Sequence, residues 1–228
     1  YKNSLNQKNN ILLNQKIKFL KKEKKNFVVS TNNKILKSDI LLSTIPLNEF
    51  CEIYSGTPEN ILNISKNLKF NSIIICLINI KGEFGGNNFA FMVPNKDIIF
   101  HRISKLDFLG KNYSHPKTTS FLVEITFRKG DYISRLKNND IIDKIHQGLV
   151  KLKFSRNKNN INFFQIKRFK YAYVIYDLMH RYNVDKILNF FKKEKIYHGG
   201  RCGSWEYLNS DQVIFQSKNL IEKLTKSI

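Results

Sequence analysis

The stretch Ser38-Asp39-Ile40-Leu41-Leu42-Ser43-Thr44-Ile45-Pro46 decides the fold class. Its apolar residues run consecutively instead of alternating with polar ones, so a strand built from them has two faces to bury. Pro46 stops it, because proline has no N–H to give to a ladder. A strand of that kind belongs inside a covered sheet of parallel strands, and parallel neighbours need crossover segments between them. The flanking residues supply the pieces. Upstream, residues 11–13 and 16–20 read as short strands and 26–31 as a return strand, with Asn32-Asn33 as a turn. Lys21, Lys22, Lys24 and Lys25, interrupted by Glu23, read as a solvated hairpin tip. Downstream, residues 47–54 and 58–67 have helical character, the second with Thr57 as cap and Pro58 in its first turn.

Further strands are predicted over 70–80, 89–93, 98–103, 120–126 and 164–176, and helices over 141–151, 185–195 and 211–226. Residues 82–88 read as a loop and 197–203 as a strand entering a glycine-rich turn. Asn139-Asp140 cap the first of those helices and Asp211 the last. Interleaved strands and helices of this kind predict an α/β (α+β) protein in two lobes.

Composition narrows the class. At 228 residues and 42% hydrophobic, the chain can build one large core or two modest ones, which excludes wholesale disorder. Cys51, Cys76 and Cys202 lack C-x-x-C spacing, so they form neither a disulfide framework nor a metal knuckle, and Cys76 reads as core. No apolar run approaches the ~18 residues of a membrane span. A reducing cytoplasm is the expected location. The net charge of +21 would ordinarily point to nucleic acid or an anionic membrane. Here the lysines are dispersed among Asn, Ile and Phe, all residues of A/T-rich codons, so base composition accounts for much of the excess. Phe163, Phe164, Phe169, Tyr171 and Tyr173, near Lys167, Arg168 and Lys170, read as strand aromatics with lysines outside and not as a stacking platform. Nucleic acid is therefore disfavoured as a partner. The five histidines show no metal-ligand spacing, and no Walker loop, G-x-S-x-G or G-x-G-x-x-G occurs. The opening at Tyr1, without a targeting segment, reads as a piece of a longer polypeptide.

The segment Tyr197-His198-Gly199-Gly200-Arg201-Cys202-Gly203-Ser204-Trp205-Glu206-Tyr207-Leu208-Asn209-Ser210-Asp211-Gln212-Val213-Ile214 carries the most chemistry. A strand end, three glycines, an arginine and a helix start suit an anionic cofactor. Glycines let backbone approach closely, Arg201 brings charge, and the first turn of a helix offers unpaired N–H groups at its positive end. An ordinary strand–turn–helix junction would have the same composition.

The segment is similar to the C-terminal signature G-R-x-G-x-[FWY]-x-Y-x-x-x-D of the flavin-dependent amine-oxidase-like superfamily, which includes protoporphyrinogen-oxidase-like proteins and UDP-galactopyranose mutase. The matching residues are Gly200, Arg201, Gly203, Trp205, Tyr207 and Asp211. Residues 39–47 resemble the family strand that leaves the flavin domain, 172–177 its A-Y-P segment, and 100–104 its f-x-R-I strand. Val174 stands where the family has Pro, and Gln216 where its last helix has Gly. The family's opening strand–G-x-G-x-x-G–helix unit has no counterpart, so the resemblance covers the C-terminal half alone.

That resemblance implies a two-lobed FAD-binding oxidoreductase, of which this chain holds a remnant of the flavin-lobe sheet and a mixed-sheet substrate domain. It implies residues 1–47 as part of the flavin lobe, 48–195 as the substrate-binding domain, and 196–228 as the strand–turn–helix returning to the flavin lobe. FAD would meet backbone groups of Ile17 at its adenine and Asp211, Gln212 and Val213 at its ribityl chain, with Arg201 beside its ring or a substrate phosphate and Gly200 and Gly203 admitting the backbone. Arg102 and Tyr173 would bind a small-molecule substrate. The implied reaction is hydride transfer from an organic substrate to flavin. The alternatives are a flavin-dependent mutase acting on a nucleotide sugar and a non-catalytic, basic protein that binds nucleic acid or another polyanion. No catalytic residue and no metal are assigned. The missing N-terminal half is the implied partner, and the chain by itself is expected to be inactive and not to retain FAD.

Overall fold

In the computed structural model, which describes residues 11–113 and 115–226, β1 (Ile17–Glu23) and β2 (Asn26–Thr31) form an antiparallel hairpin, and β3 (Ile35–Ser38) pairs with β2. Residues 11–13 are not a strand. Their side chains are 56%, 40% and 70% exposed, so no neighbouring surface rewards pairing. The lysine tip is shorter than expected. Lys21 and Lys22 belong to β1, and only Lys24 and Lys25 turn, Lys24 with φ 54°. Lys22 is not idle: its Nζ donates to the Glu194 carbonyl at 2.9 Å and to Oε2 of the same residue at 3.1 Å.

The deciding segment yields β4 (Leu41–Ser43), shorter than its apolar run. Residues past Thr44 are taken by α1 (Leu47–Ile53), whose Phe50 N–H donates to the Pro46 carbonyl, and Leu42 stays 43% exposed. In α2 (Glu59–Lys66) the capping position is Pro58, not Thr57.

The chain then builds the second compact unit, residues 70–173. Its elements are β5 (Phe70–Lys81), β6 (Ala90–Met92), β7 (Arg102–Lys105), β8 (Thr118–Phe127), α3 (Tyr132–Arg135), α4 (Asn138–Lys151) and β9 (Ile161–Val174), the last residue of β9 lying just past the unit. The five strands order as β6-β7-β8-β5-β9. Period-two alternation sorts the faces. Ile74, Cys76, Ile78 and Ile80 of β5 and Phe121, Val123 and Ile125 of β8 form a buried core with Ile141, Ile145 and Leu149, one stripe of α4. The opposite face carries Asn79, Ser120 and Glu124, all buried. The predicted strand 98–103 begins only at Arg102, although Ile98 and Phe100 still fill the core. α4 starts earlier than predicted, at Asn138, where the Asp140 carboxylate accepts from the Lys137 N–H at 3.1 Å.

Residues from Val174 onward group with those up to Lys69 as the first unit. They form α5 (His180–Lys193), β10 (Ile196–His198), α6 (Gly200–Gly203) and α7 (Ser210–Thr225). β10 pairs in parallel with β4, Ile196 opposite Leu41 and His198 opposite Ser43. The parallel strand read from the sequence is therefore present, in an α/β framework. The division falls at 69/70 and 173/174, whereas the resemblance put it at 47/48 and 195/196. The helices account for the difference: α1 and α2 pack together, α2 packs with α5, and α5 with β10. Among the described residues no helix is long and apolar enough to cross a membrane.

Candidate functional site

In the first unit, the end of β4 is where backbone elements converge. The Gly199 N–H donates to the Ser43 carbonyl at 3.0 Å, adding one bond to the β4–β10 ladder. Gly200 follows with φ 73°, the left-handed region that favours glycine. Gly203 packs α6 against β4: a Cβ there would lie 2.9 Å from the Ser43 carbonyl oxygen and 3.1 Å from Thr44 Cα. The glycines predicted as a cofactor turn thus form a four-residue helical turn, and two of them fix Ser43–Thr44 against α6. Ser204 closes that turn, donating from its hydroxyl to the Gly200 carbonyl at 2.6 Å. The Arg201 guanidinium stacks 4.3 Å from the centroid of the Tyr207 ring. Burial pushes the Cys202 thiol above its usual range, against the pull of Arg201, so it stays protonated.

Ile17, Leu20, Val29, Ser43, Thr44 and Phe50 help bound a cavity of about 180 Å³. Ser43 is 7% exposed and its Oγ has no hydrogen-bond partner among the described residues. An orphaned hydroxyl in a wall made mostly of apolar side chains costs stability unless something accepts from or donates to it. The donor set therefore fits a polar cofactor edge held at Ile17 and the β4 terminus. Asp211, Gln212 and Val213 are not among the residues that line this cavity. They begin α7, and Asp211 is not its cap. Asn209 holds that position, its N–H donating to Gln212 Oε1 at 2.8 Å, while Asp211 is exposed in the first turn. Asn209 is preferred because the sequence N-S-D-Q places an amide acceptor three residues on.

Two aromatic groups brace the same junction. Trp205, 1% exposed and at φ 52°, accepts at its carbonyl from His180 Nε2 at 3.0 Å. The His198 ring lies against Phe50 (4.7 Å) and Phe191 (4.9 Å), both of its nitrogens buried without a hydrogen-bond partner among the described residues. Burial alone pulls its pKa down to about 4.

In the second unit, Arg102 and Tyr173 do meet, around a residue the sequence did not single out. Glu124 of β8 stands directly opposite Arg102 of β7, and its side chain is 4% exposed. Arg102 Nε donates to Glu124 Oε1 at 2.7 Å, Nη2 reaches the same oxygen, and the Tyr173 hydroxyl donates to Oε2 at 2.8 Å. His101 joins them, its N–H donating to the Glu124 carbonyl at 3.1 Å and its ring perpendicular to that of Tyr173 at 6.4 Å. Its Nδ1 is buried without a partner among the described residues, and burial lowers its pKa, offset in part by Glu124. The signal for Glu124 was a lone carboxylate in the apolar run Ser120-Phe121-Leu122-Val123-Glu124-Ile125, where only a paired charge is tolerated. Next to it, Asn79 Nδ2 donates to Ser120 Oγ at 3.0 Å and Thr118 Oγ1 at 2.9 Å, continuing a polar sheet face. Among the described residues no group of His, Cys, Asp or Glu is placed to hold a metal ion.

Solved structures share this architecture. UDP-galactopyranose mutase in its reduced form superposes with a TM-score of 0.79 at 17% identity, over 93% of this chain and 46% of its own. A putative protoporphyrinogen oxidase from an Exiguobacterium species gives 0.75 at 14%, over 94% and 47%. Putrescine oxidase bound to putrescine gives 0.65 at 12%, over 94% and 49%. The chain has the fold that these three structures share over the matched half. It spans about half the length of these relatives. No protein-family model and no curated protein matches the sequence.

Proposed function

We propose that the chain is the C-terminal part of an FAD-dependent oxidoreductase of the amine-oxidase-like superfamily, completed by an N-terminal half that grips the pyrophosphate. The observation that carries this reading is the β4 terminus. There Ser43, buried and with a hydroxyl that has no partner among the described residues, bounds a cavity together with Ile17, and beside it Gly200 turns the chain and Gly203 admits it close to β4. Ile17, Ser43 and Thr44 would hold one edge of the cofactor, with Gly200, Gly203 and Arg201 alongside and Asp211, Gln212 and Val213 presenting the first turn of α7. When bound, FAD would supply two-electron redox chemistry as the hydride acceptor. The protein's own groups bind and orient. Glu124 fixes the guanidinium of Arg102 and the phenol of Tyr173 on a polar sheet face as the substrate-binding pair, and His101 beside them offers a neutral imidazole near neutral pH.

A second reading, a flavin-dependent mutase of a nucleotide sugar, is favoured by the TM-score to UDP-galactopyranose mutase. Against it, the charge of Arg102 is compensated by Glu124, which leaves little excess positive charge there for a diphosphate.

The test uses the longest natural polypeptide that carries these residues. FAD co-purifying with it, and retained less by Ser43→Val or Gly200→Val, supports the proposal. A flavin-free protein, or full retention in both variants, overturns it. Consumption of an electron acceptor during turnover separates oxidoreductase from mutase.

A further inference from the structure

We infer that the second unit carries a binding site for a small phosphomonoester with a flat apolar body, in the cleft between α4, α3 and the segment leading into β7. The cleft has a volume of about 440 Å³. Its floor is apolar, formed by Ile98, Ile99 and Ile133. Gly148 brings the helix down onto that floor, for a Cβ there would lie 2.7 Å from Phe100 Cε1 and 2.9 Å from Ile98 Cγ2. Cations ring the opening. Lys144 and Lys151 project from α4 at positions seven apart, which puts them on one helix face, and Lys96 comes from the facing segment. Lys151 is neutralised by Asp97. Lys96 and Lys144 have no carboxylate within ion-pair distance among the described residues.

Lys144 differs from the many solvated lysines of this chain. It is half-buried, and its ammonium is held 5.4 Å from the centroid of the Tyr132 ring, whose own surface is 61% exposed. The ring has one side for the cation and further surface for a ligand to stack on. A carboxylate or phosphate seated between Lys96 and Lys144 would compensate two charges, and its attached apolar body would cover Tyr132 and the isoleucine floor. Inorganic phosphate would satisfy the cations alone, so the apolar wall is what selects an aryl or nucleoside phosphate. This site is independent of the flavin reading: none of its residues belongs to the β4 junction or to the Glu124 cluster.

The probe is phenyl phosphate, titrated calorimetrically into the full chain beside inorganic phosphate. Phenyl phosphate should bind about tenfold tighter than phosphate, and Lys144→Gln should weaken it about tenfold. Lys24→Gln/Lys25→Gln, which removes as much or more charge from the remote hairpin turn, should change it less than about twofold. Tyr132→Ala should erase the preference for phenyl phosphate over phosphate. The proposal fails if the two anions bind equally, if the hairpin variant weakens binding as much as Lys144→Gln does, or if no saturable binding occurs up to about 10 mM.

Discussion

Replacing Glu124 with Gln tests whether one buried carboxylate organises the polar sheet face. The carboxylate is 4% exposed and accepts from Arg102 Nε at 2.7 Å, from Arg102 Nη2 and from Tyr173 OH at 2.8 Å. Gln is nearly isosteric and can keep its oxygen toward Arg102. Its amide NH₂ would then face the phenol oxygen, which can accept, so the Tyr173 bond reverses direction instead of vanishing. What is lost is the charge. Removing one partner of a buried ion pair costs about 3–5 kcal/mol. Arg102 is 37% exposed, so water recovers part of that, and the expected loss for Glu124→Gln is about 2 kcal/mol. Glu124→Leu removes both acceptors and should cost about 4 kcal/mol. Arg102→Met/Glu124→Leu removes both charges while keeping volume and should recover at least about half of that. The assay is urea unfolding followed by far-ultraviolet circular dichroism. It must be separated from tryptophan fluorescence, because the single tryptophan, Trp205, lies in the other unit and reports on that unit's transition. If Glu124→Gln costs less than about 0.5 kcal/mol, or the double variant is no more stable than Glu124→Leu, the carboxylate does not anchor the pair.

Three further outcomes bear on the first unit, each read by Trp205 fluorescence. His198 takes a proton near 6.5 when unfolded but only at about 4 in the fold, so the unfolded state binds more protons between those values. Stability should fall as pH drops through that window, by up to about 3 kcal/mol, and His198→Phe should flatten the dependence; an unaltered pH profile in the variant would exclude His198 as its source. Gly203→Ala should cost about 1–3 kcal/mol, since the new methyl would press on the backbone of Ser43 and Thr44, which cannot rotate away; a change within about 0.5 kcal/mol would show that α6 can shift. Asn209→Ala should cost about 1 kcal/mol and Asp211→Asn no more than about 0.5, because the first removes the cap and the second only a charge near the positive helix end; the reverse order would restore Asp211 as cap.

The sequence was most legible where a period ran long enough to leave no choice. Residues 73–78 are an unbroken, strand-length apolar run rich in β-branched isoleucine, and helix α4 repeats Ile141, Ile145 and Leu149 on one stripe, so both elements are plain before any contact is known. It was least legible at ends. Asp211 and Thr57 are good caps by residue type, yet chain direction at Pro58 and the pairing of Asn209 with Gln212 decided otherwise. The Glu124 cluster was half visible. Arg102 and Tyr173 were found through a motif, but their common partner lies 22 residues from one and 49 from the other. Only strand pairing brings such residues together, and pairing register is not written in local pattern. Lys22 shows the converse error: a charge run looks uniform in sequence, while one member reaches an acidic residue 172 positions away.

The β4–β10 pair explains why the candidate cofactor site depends on residues that touch no cofactor. Two parallel strands of three residues each form too small a ladder to be stable by themselves, since parallel pairs survive when both faces are covered. Here the cover comes from side chains: Phe50 of α1 and Phe191 of α5, both against the His198 ring of β10, are at most 3% exposed, and Ile196 within β10 is 1% exposed. Each buried aromatic contributes on the order of 2–3 kcal/mol, more than the ladder bonds it supports. The position of Ser43 and Thr44 is thus set by packing around Phe50, Phe191 and His198; Gly203 permits the close approach that packing enforces, and Gly200 supplies the left-handed turn before it. A partnerless hydroxyl at Ser43 can be tolerated in such a place because the aromatic cover exceeds its cost, which leaves it available to a ligand.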